Sequence, residues 1–258
     1  MRTDGVQIGN AMLYCGDCFG VMPKLDVRFD AVISDPPFGI TDCDWDTPIP
    51  LGSFWDMVDG HTKQSANFVL FGCNKFAVDL VNSKRKWYRY DLVWQKSKKV
   101  GFLWANKMPM RNHESILVFN RPGFFKSATY NPQKTPGGRK PGVKTVNHRS
   151  NVYRDQGEYT HISDGTMHPC SVLTFSSEFG QHPTQKPLAL MDFLVKSYTN
   201  EKDIVIDPFM GSGTTGVACV KAGRKFIGIE RKKEYFDFAC ERIEKAYAEC
   251  KNKLSDRR

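Results

Sequence analysis

The chain lacks any apolar run long enough to cross a membrane, and its first ten residues, MRTDGVQIGN, contain no signal-peptide stretch. Its eight cysteines are scattered, and Cys15 and Cys18 form a single C-x-x-C without the second pair that a zinc site needs. No internal repeat is visible. These absences predict a protein without membrane spans or a bound metal, and scattered reduced cysteines are typical of a cytoplasmic location.

Acidic residues are absent from Ser115 to Arg154, a stretch that contains eight lysines and arginines. A second basic segment, residues 83–99, alternates cations with aromatic rings, and the whole chain carries a formal charge of +9. Segments of one sign attract polyanions, because each neutralised phosphate releases a counterion. Nucleic acid is therefore a natural partner, although a solvated surface explains such segments equally well.

The length of 258 residues, with 40% hydrophobic and 25% charged residues, is sufficient for one sizeable core with room for an insertion. Apolar strand-like runs alternate with helical patterns, including a helix expected at residues 51–65, which predicts a doubly wound α/β fold with a mostly parallel sheet. Residues 121–181 are rich in Pro, Gly, Thr, Lys and Arg and show little periodicity. We therefore expect one domain formed by residues 1–120 and 182–258, with a basic, loop-rich insertion at 121–181.

The stretch VISDPPF (32–38) ends an apolar strand in a carboxylate and two consecutive prolines. Proline donates no hydrogen bond to a neighbouring strand, and it biases the preceding residue toward an extended conformation. The chain therefore stops pairing at this point and holds a carboxylate, a carbonyl and an aromatic ring in a stiff arrangement.

A second motif, DPFMGSGTTGVACVKAGRKFIGIE, reads as a strand, a glycine turn, a helix and a strand that ends at Glu230, 23 residues after Asp207. This layout is typical of a nucleotide-type cofactor site, in which the backbone approaches the ligand and the acid binds a ribose. It lacks the lysine of a phosphate-binding P-loop, and Asp207 would repel phosphates. A cavity lined by acids suits the ammonium and sulfonium charges of S-adenosylmethionine.

These motifs together resemble the DNA amino-methyltransferases, a subgroup of the class I S-adenosylmethionine-dependent enzymes. The matching elements are D-P-P-F at 35–38, F-x-G-x-G at 209–213, H-P-T-Q-K-P at 182–187 and G-D at 16–17. Their order is that of the circularly permuted beta group. The resemblance implies a Rossmann-like, mostly parallel sheet of about seven strands, with residues 121–181 as the target-recognition region.

The resemblance also assigns residues to the cofactor. Asp17 would hold the adenine of S-adenosylmethionine, Glu230 its ribose, and three further residues its methionine end. Those three residues are Thr184, Lys186 and Asp207. The turn residues Phe209, Gly211, Ser212, Gly213 and Thr214 complete the implied site.

The D-P-P-F motif then acquires a chemical role. The exocyclic amine of a nucleobase is a poor nucleophile, because its lone pair is conjugated into the ring. If the Asp35 carboxylate and the Pro36 carbonyl each accept one N–H, the lone pair turns out of the base plane toward the methyl group, and Pro37 stiffens these acceptors. Phe38 would stack on the extruded base, and methyl transfer would be a direct in-line displacement.

Within the family, Asp at the first motif position usually accompanies adenine, so Asp35 favours N6-adenine in double-stranded DNA. An N4-cytosine DNA methyltransferase, an RNA methyltransferase and an inert nucleic-acid-binding protein are the alternatives. Arg139, Lys140, Lys144 and Arg149 are expected to contact the phosphate backbone. The resemblance leaves open a homodimer and a cognate restriction enzyme as partners.

Two further features are weaker signals. Pro169-Cys170 resembles the cysteine nucleophile of cytosine-C5 enzymes, but it follows no buried strand. His113-Glu114 lacks a third ligand at a useful spacing, so we interpret it as a polar pair at the start of a strand.

Overall fold

The structure, a computed structural model, describes residues 5–41, 43–44, 46–137, 140–148, 157–178 and 185–255. The chain divides into two compact units: one comprises Met1–Asn131 and Ser171–Arg258, and the other comprises Pro132–Cys170. Among the described residues, no helix is both long and apolar enough to span a membrane.

The strands of the described residues are β1 Val6–Ile8, β2 Ala11–Cys15, β3 Phe29–Ser34, β4 Thr62–Gly72, β5 Tyr88–Val100, β6 Arg111–Phe119, β7 Thr135–Pro136, β8 Gly142–His148, β9 Gly157–Ser163, β10 Thr166–Met167, β11 Val172–Thr174, β12 Ile204–Asp207 and β13 Lys225–Glu230. The α-helices are α1 Cys18–Val21, α2 Leu51–Gly60, α3 Asn74–Ser83, α4 Leu188–Tyr198, α5 Thr214–Lys221 and α6 Lys233–Ser255.

The larger unit is built on one mixed sheet with the strand order β1-β2-β13-β12-β3-β4-β6-β5-β11. The strands from β2 to β4 in this order are mutually parallel, and β6 lies antiparallel between β4 and β5. Seven strands form the expected mostly parallel sheet. The short strands β1 and β11 extend it to nine among the described residues, which the sequence did not predict.

Helices cover both faces of this sheet, as a doubly wound fold requires. On one face α4, α5 and α6 bury residues such as Leu194, Ala218 and Ile243 against the strands. On the other face α2 and α3 bury a cluster around Trp55, whose ring packs edge-on against Phe119 at a centroid distance of 5.1 Å. The two cores fix the strands rigidly, so the residues at the strand ends are held in place.

The sheet register confirms the permuted arrangement. Strand β12 lies directly beside β3, with Val205 opposite Ala31, although about 170 residues separate them in sequence. Strand β13 pairs with β2 in the same direction. The carboxyl ends of β2, β13, β12 and β3 therefore meet at one edge, which brings the two motifs together.

Two expectations are corrected. The helix expected at residues 51–65 ends at Gly60, and β4 starts at Thr62, which pairs with Phe29. The region expected to be loop-rich contains the antiparallel pair β8–β9 within the smaller unit.

The smaller unit is also narrower than the expected insertion of 121–181. Strand β11 joins the main sheet beside β5, and the Asn131 side chain donates a hydrogen bond to the Thr199 carbonyl at 3.0 Å. The segments on either side of the smaller unit therefore belong to the larger one.

Candidate active site

A cavity of about 350 Å³ lies at the carboxyl ends of β2, β13, β12 and β3. It brings together residues from both motifs and from the segment before α4. The expected site residues that line it are Asp17, Asp35, Pro37, Lys186, Asp207, Phe209, Gly211, Ser212, Thr214 and Glu230. Pro36, Phe38 and Gly213 lie beside these residues rather than on the cavity wall, and Thr184 falls outside the described residues.

Asp35 follows the last residue of β3 and extends into the cavity. Its Oδ2 atom accepts a hydrogen bond from the Lys186 ammonium. Its Oδ1 atom is buried and has no hydrogen-bond partner among the described residues. Burial raises the pKa of this carboxyl, although the Lys186 ammonium opposes that shift. Asp35 thus carries one paired oxygen and one open acceptor.

Lys186 is 8% exposed and links two carboxylates. Its Nζ lies 3.4 Å from Glu114 Oε2 in β6, and the other oxygen of Glu114 pairs with Lys96 in β5. Burial alone would lower the pKa of Lys186, but Asp35 and Glu114 together raise it. The ammonium therefore stays charged and holds the Oδ2 atom of Asp35 in place.

Glu114 was interpreted from the sequence as a polar pair with His113, and its link to Lys186 was missed. Burial would raise its pKa, but Lys186 and Lys96 hold it below its ordinary value. An acid at the start of the apolar strand ESILVF was the available signal, since a buried carboxylate needs a cationic partner.

The loop after the D-P-P-F motif is held by Asp46, another residue that the sequence did not reveal. Its Oδ1 accepts the backbone N–H of Phe38 at 2.7 Å and of Gly39 at 2.8 Å. Its Oδ2 accepts the N–H of Ile40 at 2.9 Å and both the N–H and hydroxyl of Thr41. Burial would raise the pKa of Asp46, but these hydrogen bonds lower it.

Phe38 is held by this loop in a partly buried position. Its ring packs against Phe76 at a centroid distance of 5.1 Å, and the Lys186 ammonium lies 6.0 Å from the ring centre. The ring therefore borders Asp35 at the margin of the cavity.

Asp207 ends β12 and is 3% exposed. Its Oδ1 accepts the hydroxyl of Ser34 at 2.5 Å and the N–H of Phe209 at 3.2 Å, while Oδ2 accepts the hydroxyl of Thr215 at 2.6 Å. Burial raises the pKa of Asp207 to about 6, against the effect of these hydrogen bonds. The carboxylate ties the D-P-P-F strand to the glycine turn.

The glycine turn has a shape that side chains would not permit. Gly211 and Gly213 have φ of 50° and 75°, in the left-handed region that favours glycine. A Cβ at Gly213 would lie 2.8 Å from Cβ of Ala239 in α6. Arg242 of α6, which the sequence did not single out, donates to the carbonyl of Ser212 at 2.6 Å.

Glu230 and Asp17 flank the turn at the ends of β13 and β2. Glu230 Oε2 accepts the N–H of Gly211 at 3.0 Å, and Oε1 accepts that of Lys232 at 2.7 Å. Burial raises the pKa of Glu230. Asp17 caps α1 by accepting the N–H of Phe19 at 2.7 Å, and its side chain is exposed toward the cavity.

The cavity as a whole suits a cationic ligand with an apolar body. Four carboxylates line it, namely Asp17, Asp35, Asp207 and Glu230, and the buried Lys186 is already committed to Asp35 and Glu114. Apolar walls come from Met191, Phe209 and Ile229. The residues present therefore fit S-adenosylmethionine, which carries a sulfonium and an ammonium.

No cluster of three or more potential metal ligands occurs in the part of the chain that the structure describes. All eight cysteines are free thiols, and Cys170 is exposed within the smaller unit.

Of the residues expected to contact phosphates, Lys140 is exposed and Lys144 lies on β8, while Arg139 and Arg149 fall outside the described residues.

A doubly wound sheet of this strand order, with an acid-lined cavity at its carboxyl edge, defines the class I methyltransferase fold. The chain belongs to the DNA methylase family, whose model matches residues 49–241. The Type II methyltransferase M2.LlaDCHI of Lactococcus lactis subsp. cremoris is 50% identical over 260 residues, which cover 92% of this chain and 90% of that protein. M2.DpnII of Streptococcus pneumoniae is 51% identical over 65 residues, 25% of this chain and 24% of that protein.

Solved structures agree with this assignment. The crystal structure of the M1.HpyAVI–SAM complex is 26% identical, with a TM-score of 0.64 over 90% of this chain and 99% of that one. The PvuII DNA methyltransferase, cytosine-N4-specific, is 18% identical and shares the fold, with a TM-score of 0.64 over 94% of this chain and 93% of that one.

Proposed function

We propose that this DNA methylase transfers a methyl group from S-adenosylmethionine to N6 of adenine in duplex DNA, after extrusion of the base. The observation that carries the proposal is the buried Oδ1 of Asp35, which lacks a hydrogen-bond partner among the described residues and belongs to a side chain that lines a cavity suited to the methyl donor. A buried, unpaired acceptor is costly, so it is expected to be satisfied by a ligand. An exocyclic N–H supplies the missing donor.

The reaction then depends on orientation more than on proton transfer. When bound, S-adenosylmethionine supplies an electrophilic methyl group on a sulfonium. Asp35 Oδ1 and the Pro36 carbonyl each accept one N–H of the amine, which turns the nitrogen lone pair toward that methyl group. The N–C bond would form as the S–C bond breaks, with the S–C electron pair kept by sulfur, and the surplus proton would pass from the nitrogen to the solvent. Holding the reactants in line is a major source of rate acceleration.

The buried ion pair prepares Asp35 for this role. The Lys186 ammonium favours the ionised form of Asp35 and so opposes the effect of burial on its pKa, and Glu114 holds the ammonium in place. We propose that Lys186 also faces the methionine end of the donor, with Thr184 and Asp207. Asp17 is assigned to the adenine and Glu230 to the ribose, since both carboxylates line the cavity on the side of β2 and β13.

The choice of adenine rests on Asp35 at the first position of the motif. Transfer to N4 of cytosine is the second candidate, because it uses the same acceptors and the same fold, which the cytosine-N4-specific PvuII enzyme shares. Phe38 would stack on either base.

The test is methylation of DNA of known sequence with tritiated donor, followed by digestion and identification of the labelled nucleoside. N6-methyladenine supports the proposal, and N4-methylcytosine would replace it with the second candidate. A parallel reaction with RNA of the same sequence addresses the remaining enzyme alternative. Asp35→Ala should abolish labelling, whereas a protein that only binds DNA would show none in the wild type.

For DNA binding, we propose that Arg139, Lys140, Lys144 and Arg149 contact phosphates and that residues 121–181 select the target. A homodimer and a cognate restriction enzyme are proposed partners, the latter because M2.LlaDCHI is a Type II methyltransferase. Eight free thiols favour a reducing compartment, so we also propose a cytoplasmic location.

A further inference from the structure

The hairpin that connects β5 and β6 ends in three consecutive exposed apolar residues. Phe102, Leu103 and Trp104 form one turn of 3-10 helix that starts after Gly101, which has a left-handed φ of 92°. Phe102 is 78% exposed and Leu103 is 93% exposed. Single exposed apolar residues are common, but three adjacent large ones at a protruding tip mark a surface that contacts another molecule.

The charge of the hairpin indicates what that molecule is. From Leu92 to His113 there is no Asp or Glu, and five residues are basic: Lys96, Lys98, Lys99, Lys107 and Arg111. A polyanion complements this charge. A second copy of the chain, with a net charge of +9, would be repelled by it.

The position of the hairpin points to DNA at the active site. Strand β5 runs in the same direction as β3 and β4, so its carboxyl end lies at the same edge as Asp35. Through the pairing of β3 with β4 and of β4 with β6, Asp35 is level with Ile116 of β6. From Ile116, β6 extends five residues beyond the edge of the sheet to Arg111. At about 3.4 Å per residue the base of the tip stands about 17 Å beyond Asp35, and about 10–15 Å to its side.

An ion-pair chain connects the hairpin to the catalytic motif. Lys96 at the root of the hairpin pairs with Glu114, which contacts Lys186, which in turn holds Asp35. Strand pairing and buried ion pairs therefore connect the root of the hairpin to Asp35, whose Oδ1 is unpaired.

We propose that the tip formed by Phe102, Leu103 and Trp104 inserts into the DNA duplex beside the target nucleotide, while lysines of the hairpin contact the flanking phosphates. This inference rests on the proposed function, since an enzyme that methylates a base inside a cavity must extrude that base and leave a gap in the stack. Phe and Leu are among the side chains that wedge into base steps and stabilise a distorted duplex.

The experiment compares methylation of two duplexes that differ only at the target pair. In one the target base is correctly paired, and in the other it faces a mismatch, which lowers the cost of extrusion. The double variant Phe102→Ala/Leu103→Ala should lose at least about tenfold in kcat/KM on the matched duplex and less than about threefold on the mismatched one, because a wedge acts on the extrusion step alone. Val78→Ala, an exposed apolar residue on α3, is the matched control and should change neither value.

The outcomes separate the two proposals. A wild-type protein that labels neither duplex contradicts the proposed function. If the wild type is active and the double variant is impaired equally on both duplexes, or on neither, the wedge is overturned. A wild-type dimer that the double variant converts to a monomer in sedimentation would make the tip a contact between copies, and would also overturn it.

The lysines provide an independent readout. Lys99→Gln should weaken binding to matched and mismatched duplexes alike and reduce the slope of log affinity against log salt by about 1, as loss of one phosphate contact requires. The Phe102→Ala/Leu103→Ala variant should leave that slope unchanged. An unchanged slope for Lys99→Gln would remove the phosphate contact from the proposal.

Discussion

Asp35 follows the end of β3 and Asp207 is the last residue of the neighbouring strand β12, yet their surroundings differ. Both are partly or fully buried, and burial raises the pKa of both. Asp207 is saturated by two hydroxyls and one backbone N–H. Asp35 has a single cationic partner and one open oxygen. Both oxygens of Asp207 are therefore engaged in linking β3 to the glycine turn, whereas Asp35 has one oxygen that a substrate can pair with.

Replacement of Asp35 should have the largest effect on activity. Asp35→Ala removes the open acceptor and is expected to lower kcat by about 10³-fold or more, comparable with loss of a key transition-state hydrogen bond. Binding of the methyl donor, measured by calorimetry, should change by less than about threefold, since Asp35 serves the amine. Donor binding lost together with activity would contradict this division of roles.

Replacement of Asp207, which we also propose to face the methyl donor, should in addition lower the stability of the fold. Asp207→Ala leaves the hydroxyls of Ser34 and Thr215 without their buried acceptor and is expected to cost about 1–3 kcal/mol in the free energy of unfolding. Urea denaturation measures this cost, and Val78→Ala, an exposed position on α3, is the control. An Asp207→Ala variant as stable as the control would show that the three hydrogen bonds of Asp207 do not support the fold.

The two acids also differ in how much of their environment could be predicted. The sequence indicated that Asp35, Asp207 and Glu230 lie at strand ends, because strand periodicity and glycine turns are local signals, and the structure brings all three to one cavity. It did not show what surrounds Asp35. Lys186 lies 151 positions away in sequence, and such a pairing depends on the sheet order, which no local pattern encodes.

Elsewhere the errors have similar causes. The polar pair at residues 113–114 contains Glu114, whose cationic partners come from β5 and from the segment before α4. Asp46 was missed because its role is to accept backbone N–H groups of a nearby loop, which has no residue signature. The short edge strands β1 and β11 have three residues each, too few to show a period.

Replacement of Lys186 tests the difference between Asp35 and Asp207 in another way. Lys186→Met leaves Asp35 buried without a cation, which raises its pKa further and favours the neutral acid. We expect kcat at pH 7 to fall by about 10–100-fold and to recover partly as the pH rises, because the carboxylate returns at higher pH. Lys186→Arg, which retains the charge, should show no such recovery.

Replacement of Glu114, which contacts Lys186 and not the substrate, is expected to have a smaller effect on kcat. Glu114→Gln removes one of the two carboxylates that hold Lys186, and should lower kcat by about three- to tenfold with an unchanged KM for the donor. A rise in KM for the donor without a fall in kcat would instead place Glu114 in donor binding. The pH–rate profile of this variant, compared with that of Lys186→Met, tests whether both act through Asp35.

The last predicted effect is a pH dependence of stability that belongs to Asp207. Its pKa in the folded protein is raised from 3.8 to about 6, so between these values the folded state binds more protons than the unfolded state. Stability from this group is therefore greatest below its unfolded pKa and decreases as the pH rises to about 6, by about 1–3 kcal/mol.

Asp207→Asn preserves an acceptor without a titrating proton. The difference in unfolding free energy between the wild type and this variant should shift across that interval and be constant above it. A difference that is constant from pH 4 to 7 would show that the carboxyl of Asp207 titrates normally. The contrast between Asp207 and Asp35 would then come from their hydrogen bonds and not from their burial.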